Sequence, residues 1–339
     1  MKKTIILLIV IIQLSGCYGQ YSKCEINIPS MGTNLQIILY HTDKQSGMEL
    51  LNRIPAFVST LERRYSTSIQ DSLISQLNRD KFLANPDSEL LQILSTSMEI
   101  CKLTNGAFDP ALYNLIHLWE FNKPNYIFPS RNSIDQALQS SGYNNLIVSA
   151  ESIELLNGAS VHLGGIAKGL IISRIAAFLK SNGASNFIVN GGGDIVIDGL
   201  AEGRRKWNVA ITNPYHPERN IGLIEMSNGV ILTSGDYQRF IIKDGIRYHH
   251  IVNPVTGYPV SNNLTSVTVI CDDAVRADAL ATAFFVMGRE QSLQVAQSSG
   301  VEVIFIENNE ENMLITVTDG LRYTVVNNSY SFELINDTE

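Results

Sequence analysis

Asn186-Phe187-Ile188-Val189-Asn190-Gly191-Gly192-Gly193-Asp194-Ile195-Val196-Ile197 is the stretch on which the reading of this chain turns. Two β-prone runs flank three glycines, so the segment reads as strand, flexible turn, strand, with an amide and an acid at the turn edges. It is not a GxGxxG loop opening a helix after a strand, so a dinucleotide-binding unit is not supported.

Just upstream stands a second glycine segment, Val161-His162-Leu163-Gly164-Gly165-Ile166-Ala167-Lys168-Gly169. It leads into Leu170–Leu179, apolar at helical spacing and stopped by Asn182-Gly183. Glycines at a helix start let backbone N–H groups approach an anion, and Lys168 adds a cation to the first turn. No GxxxxGK[ST] run is present, so this is not a P-loop. Taken singly, each glycine could equally serve a tight turn.

Working outward, Leu35–Tyr40 reads as a strand, Gly47–Leu61 as a helix weakened by Pro55, and Ser88–Leu103 as a helix. Strands dominate the later part of the chain. No Pro/Ser-rich linker divides it, and strands and helices do not alternate regularly enough for a doubly wound sheet. The expectation is one large α+β domain, mostly antiparallel sheet with packed helices, over residues 31–339.

Asp244-Gly245 between two β-prone runs predicts a two-residue hairpin turn. That register sets Lys243 opposite Ile246 and Arg239 opposite His250, with Tyr237 and Tyr248 on the same face and His249 pointing the other way. A lone strand histidine is more often structural than catalytic, but the Arg and Tyr neighbours suit this face to a phosphate or an aromatic ring. Asn253–Pro259 closes the unit as a rigid turn.

Asp272-Asp273 can cap a helix over Ala274–Met287 that Gly288 stops. Asp278 and Thr282 share one face of it. A carboxylate on an apolar helix needs a partner, which can be a hard cation or a basic side chain.

The chain has 339 residues, 45% of them hydrophobic, and a formal net charge of -8. Without a basic run beyond the N-terminus, nucleic acid and anionic membrane surfaces are poor partners. Met1-Lys2-Lys3, the apolar run Ile5–Ile12 and Leu14-Ser15-Gly16-Cys17 read as a lipoprotein signal peptide over residues 1–16, with a lipid on Cys17. A spanning helix would need about 20 apolar residues. Residues 17–30 are then expected to be anchor and tether, and the protein to be exported and held on the periplasmic side of a bacterial membrane. Cys24, Cys101 and Cys271 remain, an odd number without CxxC spacing, which argues against a disulfide framework and a structural zinc site.

Taken together, Ala107-Phe108-Asp109-Pro110, the Leu163–Gly169 run, Asn190–Asp194, Thr233–Phe240, Arg247–Pro259 and Ala277–Gly288 resemble, in this order, the ApbE family of FAD:protein FMN transferases. The resemblance runs from about Met31 to about Gly288. It implies an α+β fold, FAD as substrate, Mg²⁺ as cofactor, and transfer of FMN to a threonine hydroxyl of a flavoprotein with release of AMP. By motif position it places Met31, Ala107, Phe108, Asp109, Lys168 and His250 against FAD, with His162 a further candidate. It places the metal on the Gly165 carbonyl, the Asp278 carboxylate and the Thr282 hydroxyl, and leaves His250 and Asp278 as candidate general bases. Asp109 can also be read as a helix N-cap with Pro110 at the first helical position.

Three positions depart from the family pattern: His162 where an acid is usual, Ser68 where an aromatic is frequent, and Ala281 where some members carry a second acid. The same residues would serve a Mg²⁺-dependent FAD pyrophosphatase, and a flavin-binding lipoprotein without turnover is the rival from another class. The acceptor would be an exported or membrane flavoprotein, such as a subunit of a membrane redox complex.

Overall fold

The computed structural model describes residues 21–119, 121, 127–309, 312–318, 320–321, 323–325 and 331–335. Cys17 and the segment read from sequence as a signal peptide lie outside them. In chain order the first elements are β1 (Ser22–Ser30), β2 (Thr33–His41), α1 (Lys44–Leu51), α2 (Ile54–Tyr65), α3 (Leu73–Asp80), β3 (Phe82–Ala84) and α4 (Ser88–Leu103). There follow α5 (Tyr113–Trp119), α6 (Arg131–Gln139), β4 (Leu146–Val148), β5 (Ser152–Leu155), α7 (Ala167–Ser181), β6 (Phe187–Gly191) and β7 (Asp194–Asp198). Next come β8 (Trp207–Thr212), β9 (Asn220–Met226), β10 (Asn228–Gly235), β11 (Phe240–Lys243), β12 (Ile246–His249), β13 (Leu264–Cys271), α8 (Ala274–Met287) and α9 (Arg289–Ser299). The chain closes with β14 (Glu302–Asn309), β15 (Asn312–Thr318), β16 (Tyr323–Val325) and β17 (Ser331–Ile335).

Nine strands form one sheet in the order β1-β2-β6-β7-β10-β13-β14-β15-β17. Its pairs are antiparallel except β15 with β17. The expected strand–turn–strand is β6 and β7, with Gly191 opposite Asp194. Gly192 and Gly193 carry φ of 72° and 103°, the left-handed values a tight two-residue turn requires.

Side chains alternate across this pair. Phe187, Val189 and Val196 face the main core with α7 and α8, while Ile195 and Ile197 face a second core capped by Trp207, Val209 and Ile211 of β8. Both faces of the sheet are therefore covered, which is why β13 is buried along nearly its whole length.

Local chemistry sets the helix ends. Asp87 caps α4 and Asp273 caps α8, each accepting two first-turn N–H groups, and Gly288 follows α8 with φ of 81°. The region read as one helix over Gly47–Leu61 is two, and Pro55 sits in the first turn of the second, where its missing N–H costs nothing.

Most of the segment read from sequence as a tether is regular structure. Ser22–Ser30 is not a linker but the edge strand β1, paired with β2 from Ser22–His41 to Ser30–Thr33. Cys24 faces the core, and the intervening Lys23, Glu25 and Asn27 are the polar outer set of an edge strand.

Candidate active site

The site is built where the first turn of α7 crosses α8. A Cβ on Gly169 would lie 2.1 Å from the Ala274 carbonyl oxygen, so only glycine lets the helices approach this closely. That approach brings the Gly169 N–H to 2.8 Å from Asp278 Oδ2. The N-terminal end of α7 was expected to receive a ligand anion; one of its N–H groups instead holds the protein's own carboxylate. Lys168, one residue earlier, is ion-paired with Asp194, whose other oxygen accepts the Thr233 N–H at 2.9 Å.

Asp194 and Asp278 are 1% and 4% exposed, so both carboxylates act in a low-dielectric setting. Burial pushes the Asp278 carboxyl well above the usual carboxylate range; Lys168 opposes this and Asp194 adds to it. For Lys168 burial works against the charge, but Asp194 and Asp278 outweigh it and hold the ammonium above its ordinary value.

Thr282, on the same face of α8 as Asp278, has its hydroxyl 3.3 Å from Ser234 Oγ. Gly165 packs between Thr282 and Phe108: a Cβ there would be 3.1 Å from Thr282 Oγ1 and 3.2 Å from Phe108 Cε2. The Gly165–Gly169 segment therefore crosses α8 from Thr282 to Asp278. Among the described residues no group of three or more His, Cys, Asp or Glu is arranged to hold a metal. The donors gathered here are one carboxylate, one hydroxyl and a backbone segment.

Lys168 opens into a cleft of about 590 Å³, a size suited to a cofactor-sized molecule. It is lined by the Met31-Gly32 turn and Gly191–Gly193, by Val209 and Ile211 of β8, and by Ile195 and Ile231 of the large sheet. Met31 has φ of 54°, and Glu62 fixes this turn by accepting from the Met31 N–H at 2.8 Å and from Ser30 Oγ at 2.9 Å.

The hairpin of β11 and β12 lies beside the cleft. Lys243 pairs with Ile246, and both Asp244 and Gly245 have positive φ, as a type I′ turn demands. The His250 N–H donates to the Arg239 carbonyl at 3.0 Å, and Arg239 reaches over the turn until Nη2 is 3.0 Å from where a Gly32 Cβ would be. His249 points inward: its Nε2 lies 2.9 Å from the Val260 carbonyl, Nδ1 accepts the Ile251 N–H, and Phe285 stands edge-on to the ring.

Burial, reinforced by the Arg239 charge, lowers His250 to about 4, and the same two causes lower His162 to about 4. Both imidazoles are neutral near pH 7.

Two expectations need correction. Tyr237 and Tyr248 do not share a face, because β11 begins only at Phe240. Tyr237 sits in the preceding turn and lines the cleft, whereas Tyr248 packs on Trp119 and Phe128. Asp109 is not a helix N-cap: α5 starts at Tyr113, and the Asp109 carboxylate accepts from the Ala111 N–H at 2.8 Å and the Tyr143 N–H at 2.7 Å. Burial outweighs those bonds and pushes Asp109 up to about 6.

Of the residues named from sequence, Met31 and Lys168 line the cleft itself. Gly165 packs on Thr282, Asp278 takes the Gly169 N–H one helical turn away along α8, and His250 stands beside Arg239. Phe108 is buried against Gly165, and Asp109 is occupied with backbone. His162 Nδ1 accepts the Gly164 N–H at 3.1 Å. Sequence reasoning did not assign Asp194 and Ser234 to the site, and it named Arg239 only as the neighbour of His250 that suits that face to a phosphate. The signal for Asp194 was present, as the acid ending the glycine turn.

The chain was compared with known proteins. The model of the ApbE family matches residues 31–305. An FAD:protein FMN transferase of Vibrio cholerae is 28% identical over 92% of this chain and 95% of its own. One of Escherichia coli K12 is 30% identical over 82% of each chain. Among solved structures, the flavin transferase ApbE from Vibrio cholerae superposes with a TM-score of 0.78 over 88% of this chain and 97% of its own. The ApbE protein from Thermotoga maritima, 31% identical, also gives 0.78, over 84% and 94%. With the family model matched over residues 31–305 and its fold shared along most of the length of these relatives, the chain belongs to the ApbE family.

Proposed function

We propose that this chain is an FAD:protein FMN transferase that moves FMN from FAD to a threonine hydroxyl of an exported or membrane flavoprotein and releases AMP. The observation that carries this reading is a cation, Lys168, that lines a cofactor-sized cleft and is held there by Asp194, next to the buried carboxylate of Asp278. The relatives named above are FAD:protein FMN transferases.

In this reading Lys168 and Arg239 offset the charge of the FAD pyrophosphate in the cleft. The acceptor hydroxyl attacks the phosphorus on the FMN side, the bond from that phosphorus to the bridging oxygen breaks, and AMP leaves with that oxygen. The hydroxyl proton must go to a base. We assign this role to His250, whose imidazole is neutral near pH 7 and so offers a free lone pair; burial and the Arg239 charge, which lower it to about 4, make it a weak base. Asp278 is the poorer base, since the first turn of α7 already occupies its carboxylate.

The donors also fit Mg²⁺. Asp278 is buried with backbone N–H partners, while the nearby ammonium of Lys168 is bonded to Asp194, so a cation would complete its neutralisation. Asp278, the Thr282 hydroxyl and the Gly165 carbonyl would hold it through hard oxygen ligands. When bound, it would stabilise negative charge on the pyrophosphate and the departing AMP.

The test is to incubate the mature chain with FAD, Mg²⁺ and a flavin-free acceptor domain. Flavin retained on the acceptor after denaturation supports transfer. Free FMN alone would instead mean a pyrophosphatase, and unchanged FAD a binding protein.

The lipobox supports export and a lipid on Cys17. Because β1 starts at Ser22, the proposed tether is residues 18–21, which holds the domain close to the membrane. Mass spectrometry of the mature N-terminus checks this; an unmodified residue there would remove the anchor.

A further inference from the structure

The smaller sheet that covers the second core runs β16-β9-β8, so one edge of β8 pairs with β9 and the other has no strand beside it among the described residues. That open edge borders the cleft. Asn208, Val209, Ala210, Ile211 and Thr212 all line it. Val209 and Ile211 turn into the second core, whereas Asn208, Ala210 and Thr212 are exposed on the opposite face. Side chains of successive strand residues point to opposite faces, so a consecutive run can line one cleft only through the backbone edge between those faces.

Along such an edge every second residue aims its N–H and C=O outward. Among the described residues, Asn208–Thr212 make no backbone hydrogen bond outside their pairing with β9. An open edge invites stray pairing, and proteins guard it with charge or proline. The edge strand β1 is guarded in this way, by Lys23, Glu25 and Pro29. In contrast β8, Trp207-Asn208-Val209-Ala210-Ile211-Thr212, holds neither a charge nor a proline, and its register shift lies at its end, between Ile211 and Thr212. This unguarded edge lies in the same cleft as Lys168 and Arg239. A row of alternating donors and acceptors is matched by another extended peptide, and FAD has no such repeat.

We propose that β8 binds the hydroxyl-bearing segment of the acceptor as an added strand, its backbone paired along Asn208–Thr212 and its alternate side chains, the attacking hydroxyl among them, turned into the cleft. This rests on the transferase reading and deepens it. The acceptor residue must then lie in a loop or terminus that can become extended over about five residues, or about 17 Å.

The probe is a short synthetic peptide spanning the flavinylation threonine of a membrane redox subunit, made as a series with one backbone N-methyl group moved residue by residue. The KM of each peptide in FMN transfer is read with the mature chain, FAD and Mg²⁺. Strand addition predicts a period of two, because only one edge of the peptide faces β8. Methyl groups at alternate residues should raise KM about tenfold or more, and those between should leave it nearly unchanged. Hydrogen exchange gives a second readout: amides within Asn208–Thr212 should slow when the peptide is bound and not when FAD alone is bound. A KM indifferent to methyl position, or equal slowing by FAD alone, would overturn the proposal. So would an intact flavin-free domain that is labelled while its peptide is not, since a folded surface would then be recognised. If FAD is hydrolysed and neither peptide nor domain is labelled, the transferase reading itself fails and takes this proposal with it.

Discussion

The Gly169 N–H donates to Asp278 Oδ2 across 2.8 Å, joining the first turn of α7 to the middle of α8. This one bond places the buried carboxylate beside Lys168, which lines the cleft. It exists because the two helices touch at a residue without a side chain.

Gly169→Ala should therefore damage fold and site together. The added methyl would meet the Ala274 carbonyl at 2.1 Å, and neither backbone can yield cheaply. A loss of about 1–3 kcal/mol is expected for such overpacking, read as a lower melting temperature. An unchanged melting temperature would show that the helices separate freely.

Lys168→Met should weaken FAD binding and destabilise the protein, because Asp194 is left buried without its cation. Breaking a buried pair costs roughly 3–5 kcal/mol; Lys168 is 24% exposed, so the lower end applies. Combining it with Asp194→Asn should restore much of the stability but not the affinity for FAD. Titration of FAD alongside thermal unfolding of both variants checks this.

His250→Asn should lower kcat by about 10²–10⁴ if the imidazole takes the acceptor's proton, with a smaller effect on FAD affinity. In wild type the acid limb of kcat/KM should fall well below the ordinary histidine value of 6.5, because burial and Arg239 lower His250 to about 4. An acid limb centred near 6.5 would contradict that assignment.

His249 predicts a stability effect of known sign. Burial lowers its folded pKa to about 4 against an ordinary 6.5, so between these values the unfolded chain binds the proton and the folded chain does not. Stability should fall as pH drops from about 6.5 toward 4. Asp109, raised to about 6, works the opposite way, gaining stability as pH falls through 6. His249→Gln can still donate to Val260 O and has no charge to acquire. It should lose about 2 kcal/mol less than wild type between pH 7 and 5, and comparing the two by urea unfolding cancels the Asp109 contribution.

Much of this structure was legible where the determinants are local. The apolar spacing of Ser88–Leu103 announces α4 and Asp273 announces α8, Asp244-Gly245 sets the hairpin register, and the glycines after Asn190 fix the β6–β7 turn. Reading failed where the determinant is distant. Ser22–Ser30 looked like a linker because its outer residues are polar, and only pairing with β2 makes it a strand. Asp109 looked like a cap because its Tyr143 partner lies 34 residues away. Asp194 passed as a turn residue because its ion pair with Lys168 exists only once β7 packs on α7. The opposite directions of His249 and His250 followed from strand alternation; that His250 meets Arg239 followed from the turn.

The central claim is tested most directly by measuring AMP released against flavin covalently fixed to the acceptor, with FAD, Mg²⁺ and the flavin-free domain present. Transfer predicts one AMP for each flavin that survives denaturation, with both products lost in Asp278→Ala. AMP accompanied only by free FMN, or full activity in that variant, would contradict the account.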